Sequence, residues 1–154
     1  GMLLVTAIIF FIGEWYYKKN VDAPKKDISD MSVTAALLIG LGQSIALLPG
    51  VSRSGMSMIS GFTIGFDRKA AGEFSFLLSI PAILGAGAYQ FLETMQVSGS
   101  LPITGPMIAG ACIAAISGYL AIAYMLKYLE KNSFIPFAWY LICAAIVLFI
   151  VQIT

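Results

Sequence analysis

The sequence contains no histidine among its 154 residues, which excludes a histidine-ligated metal and any histidine base supplied by this chain. Charge is scarce as well. Only 11% of residues are charged against 59% hydrophobic, a balance that excludes an ordinary soluble domain. The net charge of +1 is too small to point to a nucleic-acid partner, and none is expected. Cys112 and Cys143 lie in separate apolar segments without metal-ligand spacing; they are read as packing residues and identify no redox compartment. The first apolar segment has neither a basic leader nor a small-residue cleavage site, so it reads as a mature span.

What is present is a series of apolar stretches of membrane-crossing character, and the expected fold is an all-α integral membrane protein forming one membrane domain over 1–154. A first span at 3–17 ends in Trp15, Tyr16 and Tyr17 followed by Lys18 and Lys19, the usual exit from hydrocarbon to water. A polar linker, KKNVDAPKKDISD, occupies 18–30. Further spans are expected at 70–91, 103–127 and 137–153, the last introduced by the aromatic run PFAWY.

The odd region is 32–66. It holds LLPGVSRSGMS, residues 47–57, in which turn formers, three serines and Arg53 stand together inside an apolar chain. Pro49 cannot continue a helical ladder and pushes Leu48 out of helical geometry, so a helix should end near Leu48. A second helix should begin near Ser54 or Gly55. From Gly55 to Phe66 it rises only about 18 Å, short of the roughly 30 Å of bilayer hydrocarbon. The cations outside the motif fall into three groups, Lys18/Lys19/Lys25/Lys26, Arg68/Lys69 and Lys127/Lys131, and the 94–106 loop has none. If 32–66 enters and leaves by one face, all three groups are cytoplasmic. The expected topology is therefore four transmembrane helices plus one re-entrant helix-loop-helix, with both chain ends external.

An arginine at membrane depth costs at least roughly 2.5–3.5 kcal/mol on insertion scales, so Arg53 should have a partner or a task. With the helix N-terminus and the hydroxyls of Ser52, Ser54 and Ser57, it forms a donor set for an anion such as phosphate. The plainer alternative is a tight loop whose arginine reaches water or an internal carboxylate. The remaining acidic residues are read as interfacial or solvated: Glu14 beside the aromatic anchor, Glu73 four residues after Lys69, Glu93 and Glu130 at helix ends. Ser75 and Ser79, one turn apart before Pro81, either face a cavity or relieve a kink. Gly110, Ala114 and Gly118, like Gly61 and Gly65, have the spacing of close helix packing.

The stretch GLGQSIALLPGVSRSGMSMISGF followed by AGEFSFLLSIPAILGAG resembles the second half of the undecaprenyl-diphosphate phosphatases, the bacitracin-resistance family marked by P-G-x-S-R-S-G. The resemblance implies a multi-pass enzyme of the bacterial cell (inner) membrane with an external active site. It implies removal of one phosphate from undecaprenyl diphosphate to recycle the lipid carrier of cell-wall peptidoglycan synthesis. It also implies two interlocked inverted repeats, this chain being the second. By position, Arg53 would clamp the diphosphate and Ser52 would act with it. Ser54 would donate to it, and Gly50, Gly55, Ser57 (where the family usually has threonine) and Gln43 would complete the substrate site. The family's acidic motif, catalytic serine and histidine belong to the other repeat. A divalent metal, Mg or Ca, would therefore be held by a missing N-terminal half of the same protein, and this chain alone is expected to be inactive. Two rivals stay open: half of a polyprenyl-lipid or anion transporter, since broken helices also mark transporters, and a structural half-protein that pairs with itself as a homodimer.

Overall fold

The computed structural model describes residues 2–98 and 104–153, and among them it is all-helical, without a β-strand. The helices are α1 (Met2–Lys19), α2 (Val33–Ser44), α3 (Arg53–Thr63), α4 (Arg68–Ser98), α5 (Gly105–Leu129) and α6 (Ile135–Ile153). Ile103, where the third span was expected to start, lies outside the described residues. By length and composition Arg68–Val97 and Gly105–Leu129 can each cross a membrane, while Val33–Leu47 and Ile135–Val151 are apolar but shorter. The flanks of α4 and α5 are apolar and exposed, as at Leu84, Ile113 and Tyr119, the composition that lipid rather than water tolerates.

α2 and α3 form a hairpin laid along α1. α2 is capped by Ser32, whose hydroxyl accepts from the Ala35 N–H at 3.2 Å. It tightens into a 3₁₀ turn at Ile45–Leu47 and stops at Leu48, which is extended at ψ 128° as the proline after it demands. The chain reverses at Gly50, whose φ of +87° is open to glycine at little cost. This turn lies against the start of α1, where the Thr6 hydroxyl donates to the Gly50 carbonyl at 3.2 Å. The base of the hairpin lies at the other end of α1. There Tyr17 meets Phe62 edge-on at 5.2 Å, and the linker is bound to the hairpin's exit by Lys26 N–H to Gly65 O (2.9 Å) and Asp67 N–H to Lys26 O (3.0 Å). Both arms thus leave from and return to the lysine-bearing end of α1.

α3 is the central element. Met56, Met58, Ile59 and Phe62 are buried around nearly its whole circumference, against α1, α2 and α4. Close approach depends on glycine at position 55: a Cβ there would stand 2.3 Å from the Phe10 ring. Gly61 fits against Ala71 in the same way. The other expected small-residue contacts are absent among the described residues. Gly65 is a left-handed turn residue at φ +95° with open space around it, and a Cβ on Gly110 or Gly118 would meet nothing within 4 Å. Cys112 and Cys143 are exposed rather than packed.

The acidic residues depart most from expectation. Glu14 is not interfacial but 2% exposed. One carboxylate oxygen is paired with the Arg68 guanidinium, and the other accepts the Phe134 N–H at 3.2 Å. The guanidinium carbon lies 4.2 Å from the centre of the Tyr17 ring, and these contacts tie α1, α4 and the start of α6 together. Lys69 pairs with Glu130, the residue that closes α5, at 2.8 Å, not with Glu73. The ammonium group beside it holds the Glu130 carboxyl below its usual range.

Candidate functional site

The site is built on the first turn of α3. Ser52 is its N-cap, so the helix starts at Arg53, one residue ahead of the expected start. The cap hydroxyl oxygen accepts the Gly55 N–H at 3.1 Å. The first intrahelical bond runs from the Met56 N–H to the Ser52 carbonyl, which leaves the N–H groups of Arg53 and Ser54 without helical acceptors. Gly55 therefore contributes a space rather than a free donor, and Gly50 shapes the turn rather than lining the cavity.

Beside this turn opens a cavity of ≈ 400 Å³ bounded by Gln43 of α2, Arg53 and Ser54 of α3, Ser75, Phe76 and Ser79 of α4, and Ile122 of α5. Gln43, Arg53 and Ser54 meet here although α2 and α3 are separated by the turn. Ser52 lies on the other side of Ser54, on a second cavity of ≈ 310 Å³ lined mainly by apolar and aromatic groups. Arg53 is exposed, and among the described residues its guanidinium has no hydrogen bond or ion pair. None of the cavity's lining residues is a carboxylate. A forked cation, an N-terminal helix dipole and several hydroxyls thus face one space without a compensating negative charge, an arrangement suited to an anion.

Ser57 is placed differently from its sequence reading. It is fully buried behind the first turn, within 3.1 Å of the carbonyls of both Arg53 and Ser54 and 2.7 Å from the Ser75 hydroxyl. Its contribution is to the shape of the site, not direct contact with a ligand. Ser75 and Ser79, by contrast, both line the cavity; their spacing of four puts them on one face of α4, the signal that could have assigned them. Ser79 also bonds the Phe76 carbonyl at 2.6 Å.

Residues 1–147 match the bacitracin resistance protein BacA family. This chain belongs to that family. Among its relatives, the undecaprenyl-diphosphatase of Chlorobium phaeovibrioides is 38% identical over all of this chain and 56% of its own length. That of Pelodictyon phaeoclathratiforme is 40% identical over 98% of this chain and 55% of its own length. Undecaprenyl-diphosphatase 2 of Frankia casuarinae is 38% identical over 96% of this chain and 52% of its own. The chain spans about half the length of the curated relatives it matches. The family resemblance implies a divalent metal, but the cavity's donors do not fit one: a guanidinium, hydroxyls and an amide offer no anionic ligand for a hard cation. Among the described residues no three Asp, Glu, Cys or His side chains gather as a metal site.

Proposed function

We propose that this chain is the diphosphate-gripping half of an undecaprenyl-diphosphate phosphatase, releasing phosphate and regenerating undecaprenyl phosphate. The observation that carries the reading is Arg53: an exposed guanidinium, unpaired among the described residues, at a helix N-terminus and in a cavity whose lining holds no carboxylate. The fork takes two oxygens of the diphosphate, while the Ser54 hydroxyl and the free N–H groups of the first turn take others. Ser52 acts as the cap that fixes this turn, its hydroxyl oxygen holding the Gly55 N–H. Gln43 orients the group from the opposite wall. These contacts neutralise the charge that builds as the P–O bond breaks. The attacking group and the divalent metal, Mg or Ca, belong to the N-terminal half of the complete protein.

In this reading α2 and α3 are a re-entrant hairpin and α1, α4, α5 and α6 are spans, together one of two inverted repeats in the bacterial inner membrane, with the active site external. The return of both hairpin arms to the lysine end of α1 supports it. With Cys112 and Cys143 replaced, single cysteines at Asn20, Asp67 and Asn132 are expected to resist an impermeant external thiol reagent, and one at Thr104 to react. Labelling at position 67 but not at 20 would make the hairpin a span.

The function is tested by phosphate release. The purified chain alone is expected to give none above background from undecaprenyl diphosphate, and co-expression with the N-terminal half to restore metal-dependent turnover. Hydrolysis by the chain alone, or transport of the lipid without cleavage by the complete protein, contradicts the assignment.

A further inference from the structure

Among the described residues the Ser57–Ser75 contact is the one buried hydroxyl pair that borders the cavity. The two oxygens are 2.7 Å apart, Ser57 is fully buried and Ser75 is 2% exposed, yet Ser75 lines the cavity beside Arg53 and Ser54. Two hydrogens serve this pair. One must lie between the oxygens to account for so short a contact. If Ser75 supplies it, Ser57 gives its own hydrogen to the carbonyl of Arg53 or Ser54, each 3.1 Å away. Ser75 then offers the cavity only lone pairs. If Ser57 supplies it, the Ser75 hydrogen is left to the Ser54 carbonyl at a long 3.3 Å or to a ligand. Both carbonyls lie inside the first turns of α3, where they also accept backbone N–H groups, so neither is stranded by the change. The two arrangements differ by hydroxyl rotation alone.

We propose that Ser75 of α4 is a further binding residue for the phosphoryl oxygens, and that Ser57 is a positioning residue that donates to it and turns its hydrogen into the cavity. An anion selects this arrangement because only then does Ser75 present a donor. The inference deepens the reading of the Arg53 cavity as a diphosphate site and rests on it. It also gives α4 a direct part in recognition, so the grip extends beyond the hairpin to a helix long enough to cross the membrane.

The test uses the complete protein, with inorganic pyrophosphate as a competitive inhibitor of phosphate release and melting temperature in detergent as a second readout. Ser75→Ala is expected to weaken pyrophosphate inhibition about tenfold, the scale of one hydrogen bond to a charged group. Ser75→Thr, which keeps the hydroxyl, should stay within about threefold of the parent. Ser57→Ala breaks the same contact between α3 and α4 but spares the Ser75 hydroxyl; it should lower the melting temperature as much as Ser75→Ala while weakening inhibition less. If Ser75→Ala does not fold, Ser75→Cys, similar in size but a weak donor, is read in its place. Unchanged inhibition in Ser75→Ala or Ser75→Cys, or equal loss in Ser57→Ala and Ser75→Ala, reduces the pair to a structural tie and overturns the inference. Arg53→Ala separates the two levels. If it abolishes inhibition while Ser75→Ala does not alter it, the Arg53 site stands and the Ser75 role falls; if Arg53→Ala leaves inhibition intact, the diphosphate reading itself falls.

Discussion

Arg53→Ala in the complete protein is expected to lower phosphate release from undecaprenyl diphosphate by about a hundred- to a thousandfold, with folding unchanged. The size follows from removing a preorganised donor aimed at developing charge, an effect of roughly 2.7–4 kcal/mol where it has been measured for oxyanion sites. The unchanged folding follows from exposure: among the described residues the guanidinium bonds to nothing, so its loss leaves no buried group unpaired. Arg53→Lys should fall between. Lysine keeps the charge but not the planar fork, and a poorly oriented diphosphate slows reaction by up to about a hundredfold. Ser54→Ala removes one donor among several and should cost less than either. Steady-state phosphate release in detergent, with melting temperature alongside, decides the matter. Near-normal turnover in a folded Arg53→Ala protein would make the arginine a structural element and end the functional assignment.

The largest effect on stability is expected at Glu14. Its carboxylate is paired with Arg68 and also accepts the Phe134 N–H. Glu14→Ala therefore strands a charge that is only 16% exposed together with a backbone donor. Breaking one side of a buried pair typically costs about 3–5 kcal/mol. Among the described residues the Arg68 Nε is already buried without a hydrogen-bond partner, so losing the carboxylate adds to a guanidinium that is already incompletely satisfied. Arg68→Ala should be similarly damaging, because it leaves the carboxylate unpaired and bares the Tyr17 ring it covers. Replacing both residues with leucine should cost less than either single change, since no buried charge remains. Thermal unfolding in detergent of the two single variants and the double variant measures this. A double variant no more stable than the singles would mean that the pair matters through geometry rather than through charge.

Much of the hairpin was legible because its causes are local. Pro49 ends one helix and Gly50 permits the reversal, each acting within a few residues of itself, whereas the Ser52 cap starts the next helix one residue ahead of the expected place. The apolar runs of α4 and α5 could likewise be read in order, since length and composition alone make a helix capable of crossing a bilayer. The serines and Arg53 of LLPGVSRSGMS pointed to an anion because their chemistry is written in their side chains.

Which of those groups share a space was a different matter. Glu14 and Arg68 are separated by 54 positions, and Lys69 passes over Glu73 on its own helix to reach Glu130 just past the end of α5. No periodicity links such residues, so their pairing was decided by how α1, α4, α5 and α6 pack. Ser57 and Ser75 show the same division within the site itself. In the sequence one is the last residue of the motif and the other stands 18 positions further on. Only the packing of α3 against α4 sends one behind the first turn and brings the other to the cavity wall, because a helix face acquires a direction only when it has a neighbour.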